Sequence, residues 1–144
     1  MFSDNYFMRE ALREAEKARD EGEVPVGAVV VIDRRIIARA HNMTQKLMDV
    51  TAHAEMIALT SAANHLGSKY LHDCSLYVSL EPCAMCASAL KWAQLSRLVF
   101  GASDPEEGFL SKEVALLHKK TEVVPGVLKA EAADLLRAFF KARR

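Results

Sequence analysis

The sequence predicts an α/β protein, a three-layer α/β/α sandwich around a five-stranded mixed sheet. Three observations lead there. Gly27 to Ile32 is apolar and β-branched, Asp33-Arg34 makes a short turn, and Arg35 to Ala40 returns, which reads as an antiparallel hairpin. Ser75 to Leu80, a helical stretch to about Gln94 and then Arg97 to Gly101 give strand, helix, strand, the spacing of a right-handed parallel crossover. Amphipathic stretches at both ends supply further helices to cover the sheet.

Residues 3–21 form the first helix: Phe7, Met8, Ala11, Leu12, Ala15 and Ala18 share a face, with the Arg and Glu residues opposite, Ser3 or Asp4 caps the start, and Gly22 stops it. The hairpin ends at His41-Asn42, where a strand meets a loop. Asn42 is a turn residue or a ligand contact, and His41 a loop or packing residue. Residues 43–50 form a polar loop. A helix from about 53 to 66 follows, with Gly67 at its end; His65 in its last turn suits the dipole, and His72 reads as a surface residue. In the cysteine helix, Pro82 suits the first helical position, and Leu90 and Trp92 read as core. Residues 103–120 combine a polar loop with a short helical patch around Val114, Leu117 and His118. Thr121 to Val124 is the fifth strand. Residues 129–144 form the last helix, striped by Ala132, Leu135, Leu136, Phe139 and Phe140 and ending in a basic tail.

A chain of 144 residues suits one domain, 1–144, and 51% hydrophobic residues argue against disorder. No apolar run is long enough for a membrane span, and the start lacks the pattern of a signal peptide. Three cysteines do not make a disulfide framework, which suggests a reducing, cytoplasmic setting. Nineteen basic and nineteen acidic residues cancel, so RNA binding would need a local patch.

The chemistry concentrates in Thr51-Ala-His-Ala-Glu55 and Leu80-Glu-Pro-Cys-Ala-Met-Cys86. His53, Cys83 and Cys86 offer one nitrogen and two sulfurs, a donor set suited to zinc, with both thiols on one face of a helix start. Three protein ligands leave a tetrahedral ion one position for water, the arrangement of a catalytic site. Glu55 is then free to act as the acid–base group. On a regular helix i and i+2 point ~200° apart, so His53 and Glu55 share a site only if His53 sits at an irregular helix start. Cys74 is a possible fourth ligand that would make the site structural, or else a small buried residue.

The H-x-E and P-C-x-x-C pair is a signature of zinc-dependent nucleobase deaminases. With Glu23-Val-Pro-Val-Gly-Ala-Val-Val30, His41-Asn42, Leu76-Tyr-Val-Ser-Leu-Glu-Pro-Cys83 and Val99-Phe-Gly-Ala102, the chain resembles the bacterial TadA-type tRNA adenosine deaminases along most of its length. The resemblance implies a cytidine deaminase-like fold, one zinc per subunit, a homodimer, and hydrolysis of adenosine to inosine at the tRNA wobble position. It implies further that Asn42 hydrogen-bonds the nucleoside, that the backbone of Ala54, Leu80 and Glu81 holds the base, and that Arg143 and Arg144 help hold the anticodon stem-loop. Two alternatives stand beside it. One is a deaminase of a free base or nucleoside such as guanine or cytosine, favoured by the short acidic loop Asp104-Pro-Glu-Glu-Gly-Phe-Leu110. The other is a non-catalytic zinc module that binds RNA or protein, which needs a fourth protein ligand.

Overall fold

The computed structural model describes residues 3–143. Its elements run α1 (Asp4–Asp20), β1 (Gly27–Ile32), β2 (Arg35–His41), α2 (Ala54–Leu66), β3 (Ser75–Leu80), α3 (Ala84–Trp92), β4 (Arg97–Ala102), a 3₁₀ turn (Phe109–Ser111), β5 (Glu122–Val124) and α4 (Lys129–Ala142). The sheet order is β2-β1-β3-β4-β5. β1 pairs antiparallel with both β2 and β3, while β3–β4 and β4–β5 are parallel, so the expected mixed sheet is present. Asp33 and Arg34 both take positive φ, as a tight hairpin turn requires.

Strand alternation builds the layers. Ala28 and Val30 of β1, Leu76 and Val78 of β3, and Leu98 and Phe100 of β4 join Ala54, Ala58, Ala87 and Leu90 of α2 and α3 in one core. Val29, Val31, Tyr77 and Val99 point the other way and pack on Phe7, Met8 and Ala11 of α1. Each large apolar side chain buried in this way contributes about 1.5–3 kcal/mol. α4 completes this second layer, against β4. Gly27 is required where α1 crosses β1, because a Cβ there would collide with the Ala11 carbonyl oxygen.

Four expectations need correction. Trp92 is 79% exposed, whereas Leu90 is buried. The two are two residues apart on a helix, so when one faces the sheet the other faces away. Pro82 precedes the helix, because Cys83 is the extended N-cap and Ala84 the first helical residue. The Pro82 carbonyl accepts from Phe109 N–H at 2.9 Å, which holds this segment extended. Residues 114–118 are not helical, and the single helical turn of that region is Phe109–Ser111. Finally, Glu10 and Glu14 lie on the buried side of α1 although they read as solvent-facing, and they are compensated by partners: Glu10 by Arg13 and Arg39, Glu14 by Lys17 and His41.

α1 is also pinned at its start. Asp4 binds Arg97 through both carboxylate oxygens at 2.8 Å and accepts from the Tyr77 hydroxyl at 2.6 Å. The Arg97 guanidinium holds the Asp4 carboxyl below its ordinary value of 3.8, against the opposing effect of partial burial. The folded state therefore binds fewer protons than the unfolded one. Asp4 contributes stability above its ordinary value, and that stability is lost as pH falls through the lowered folded value. Asp4→Asn is expected to cost about 1 kcal/mol at pH 7, modest because the pair is partly solvated. The cost should shrink as pH falls below 3.8. Urea unfolding of both proteins across that range checks this.

Candidate metal centre and active site

Two helix starts converge on one point. His53 is the N-cap of α2, with φ −74° and ψ 152°, and Cys83 is the N-cap of α3, with φ −73° and ψ 175°. Both are extended, and neither side chain caps its own helix, so both are free to turn inward. Cys86, one turn into α3, is buried beside them. The His53 Nδ1 lies 3.7 Å from Cys83 Sγ and 3.4 Å from Cys86 Sγ. All three donor atoms fall within 4.8 Å of one another, the one such cluster among the described residues. Zinc–sulfur and zinc–nitrogen bonds at a tetrahedral angle put S and N ~3.6 Å apart, so the spacing fits the ion.

The electrostatics agree with that donor set. The Cys83 thiol is held down to about 3 by a hydrogen bond from the Cys86 thiol and a second from His53. The Cys86 thiol is pushed up because it donates to Cys83 and is buried. The two sulfurs thus share one proton, which a divalent cation would displace. Cys74 is buried in the core against the sheet and stands outside the cluster; burial raises its thiol. His65 is exposed, and His72 bonds Gln94.

Glu55 is buried, and burial raises its carboxyl to about 7. Because His53 is not helical, the i, i+2 spacing does not separate the two side chains. His53, Glu55 and Cys83 all line one cavity of about 400 Å³. Its walls add Val24, Val26, Asn42, Thr44, Leu80 and Glu81, and Asp104 and Glu107 stand on the far side. The cavity holds a carboxyl poised near neutrality, beside a metal-type donor set, in a space large enough for a nucleobase.

The sequence candidates divide on inspection. Asn42 and Leu80 line the cavity. Ala54 is buried and does not line it; its N–H donates to Asn42 Oδ1 at 2.8 Å, so the loop residue anchors the first turn of α2. Glu81 contributes an N–H already given to the Ala102 carbonyl, and its buried carboxylate turns toward residues 104–110. Arg143 lies at the end of α4, its guanidinium 3.6 Å from the centre of the Phe139 ring. Arg144 lies outside the described residues. Sequence reasoning missed Glu23, Thr44 and the pocket-facing position of Asp104. A buried glutamate between a helix stop and the Val-Pro-Val segment was the available signal for Glu23.

A family model described as the cytidine and deoxycytidylate deaminase zinc-binding region matches residues 1–102. The tRNA-specific adenosine deaminase of Bacillus subtilis is 44% identical over 149 aligned positions, covering 100% of this chain and 92% of that protein. A solved structure from work on A-to-I editing by tRNA:A34 deaminases at the wobble position superposes with a TM-score of 0.84. It is 43% identical and covers 91% of this chain and 99% of its own. The structure of guanine deaminase from Bacillus subtilis is 39% identical but covers only 67% of this chain and 62% of its own, with a TM-score of 0.65.

Because Asn42 supplies a side-chain acceptor to an otherwise orphaned helix-start amide, Asn42→Ala should destabilise the protein by about 1 kcal/mol. Asn42→Asp, which keeps the acceptor, should lose less. Thermal unfolding of the three proteins tests the anchoring role.

Proposed function

The chain belongs to the tRNA-specific adenosine deaminases, within the family of the cytidine and deoxycytidylate deaminase zinc-binding region, and on that footing we propose that it hydrolyses adenosine to inosine at the wobble position of a tRNA. The observation that carries this reading is the buried Glu55 carboxyl in the same cavity as His53 and Cys83, with Cys86 completing the donor cluster beside them. Similarity of 44% over the whole chain to a relative of that activity supports the substrate, whereas the guanine deaminase of Nitrosomonas europaea superposes over 96% of the chain at only 25% identity.

In this reading His53, Cys83 and Cys86 would hold one zinc ion. When bound, zinc acidifies water and so supplies a nucleophile at neutral pH. Glu55 takes one proton from the attacking water and passes it to the ring nitrogen, then takes the remaining hydroxyl proton as the C6 carbonyl forms and gives it to the departing amino group, so that adenosine and water become inosine and ammonia. Its raised carboxyl suits a group that must both accept and donate near pH 7. The Asn42 side-chain amide, held through its oxygen by Ala54 N–H, keeps its NH₂ for the nucleoside. The backbone beside Leu80 and Glu81 borders the base. A cavity of this size takes one nucleoside, so the target base must leave its stack.

The partners in this reading are a tRNA anticodon stem-loop and a second copy of the chain. Met48, Val50 and Trp92 are 88%, 85% and 79% exposed, and large apolar groups left this open suit a homodimer face. A cytoplasmic setting suits tRNA as substrate, and Cys74, Cys83 and Cys86 are free thiols. No helix among the described residues is long and apolar enough to cross a membrane.

Glu55→Gln should retain zinc and fold but lose ~10²–10⁴-fold or more in turnover. The assay incubates wild type and variant with tRNA and with free nucleosides and bases in parallel, scoring inosine by mass and zinc by metal analysis. Deamination of a free base with no inosine in any tRNA would reverse the substrate assignment; near-normal activity of the variant would remove Glu55 from the proton path.

Arg143 and Arg144 are assigned to phosphate binding. Replacing both by alanine should weaken tRNA binding and reduce the salt dependence by about one unit of slope for each phosphate no longer neutralised, with zinc content unchanged. Deamination rate against tRNA concentration at two ionic strengths measures this, and identical slopes would exclude the tail.

A further inference from the structure

Two buried glutamates take no proton in the reaction and have no cation as partner among the described residues. Glu23 is 1% exposed and Glu81 5%. Burying a carboxylate is costly unless its oxygens are fully hydrogen-bonded, so what these oxygens bind shows what they are for. Glu23 accepts from Gln45 N–H, which lies 3.1 Å from both oxygens, from Lys46 N–H at 2.9 Å and from the Thr44 hydroxyl at 3.3 Å. Glu81 accepts from Asp104 N–H at 3.0 Å with one oxygen and from Leu110 N–H at 2.9 Å with the other.

The two sets of donors belong to the two irregular segments that flank the cavity. One segment follows Asn42 and brings Thr44 to the wall; the other follows β4 and brings Asp104 and Glu107. Neither has helix or strand neighbours to receive these amides, and each carboxylate stands in for the missing ladder. Glu81 is also two residues from Cys83, whose backbone bridges to Gly108 in the same loop. Gly108 fits because a Cβ there would collide with the Glu81 carboxylate.

We propose that Glu23 and Glu81 are positioning residues, paired carboxylate clamps that fix the two loops flanking the pocket and so set its fit to the target nucleoside and the nucleotides beside it. The substrate part of this proposal rests on the RNA-deaminase reading; the clamp itself rests on the hydrogen bonds. A carboxylate offers two acceptor oxygens, whereas a glutamine offers one oxygen and an NH₂ that would face a backbone donor. Charge removal at constant size therefore opens one side of each clamp.

The test uses Glu23→Gln and Glu81→Gln in the full-length, zinc-loaded protein, with hydrogen exchange and steady-state kinetics on an anticodon stem-loop. Glu81→Gln should speed exchange of the 104 and 110 amides by about tenfold while leaving 45 and 46 unchanged, and Glu23→Gln should do the reverse. Each should raise KM about tenfold with kcat held within about threefold, because the chemistry of the metal site is intact and only the fit is loosened. Should Glu81→Gln fail to fold, Gly108→Ala strains the same clamp from the loop side and should give the same exchange pattern and KM change. Exchange that is unchanged, or raised evenly over the whole chain, overturns the clamp, and a fall in kcat at constant KM overturns its role in substrate fit. A wild-type protein that deaminates no RNA would end the functional reading, while the exchange pattern would still decide for or against the clamp.

Discussion

Two helix N-termini must meet at one point for this site to exist. The donor atoms carried at the starts of α2 and α3 lie within 4.8 Å of one another, and the partial positive charges of the two first turns repel unless negative charge lies between them. The residues placed there are a thiolate-prone Cys83, its proton-sharing partner Cys86, and Glu55. The sheet below enforces the approach. β1 and β3 are antiparallel neighbours, and the Asn42 side chain after β2 and the Pro82 segment after β3 tie the two helix starts into place.

The buried glutamates show how environment assigns roles to a single residue type. Glu10 and Glu14 are met by cations and fasten α1 to the hairpin. Glu23 and Glu81 are met by backbone N–H groups and fasten loops. Glu55 lines the cavity beside His53 and Cys83, where burial favours its protonated form. Removing the partners of the first four would leave a buried charge, which is why those positions are structural commitments. Glu55 instead meets the burial with a raised carboxyl and a hydrogen bond to Cys86.

The loops that border the cavity are distinct from the metal-type donors. His53, Glu55 and the two cysteines suit hydrolytic removal of an amino group from a nucleobase of either ring type. The cavity rim is supplied instead by residues 42–46 and 104–110, segments whose shape depends on carboxylates several elements away. The reacting groups thus sit on helix starts, while the loops that border them are held separately.

Residue order alone was enough for the strand positions, the helix stops at Gly22 and Gly67 and the His53, Cys83, Cys86 donor set. These features follow from local periodicity, from glycine's tolerance of positive φ and from the chemistry of single side chains. It also left the condition for Glu55 open in a form the structure could answer: an extended His53. Long-range packing was needed to learn that Trp92 faces outward, that Pro82 lies before its helix, that residues 114–118 are irregular, and that Glu23 and Glu81 hold loops. Each of those outcomes turns on which distant group meets a side chain or a backbone N–H. Hydrophobic pattern encodes which face of an element is buried, but it does not encode the partner of a buried charge or the path of a loop held by one.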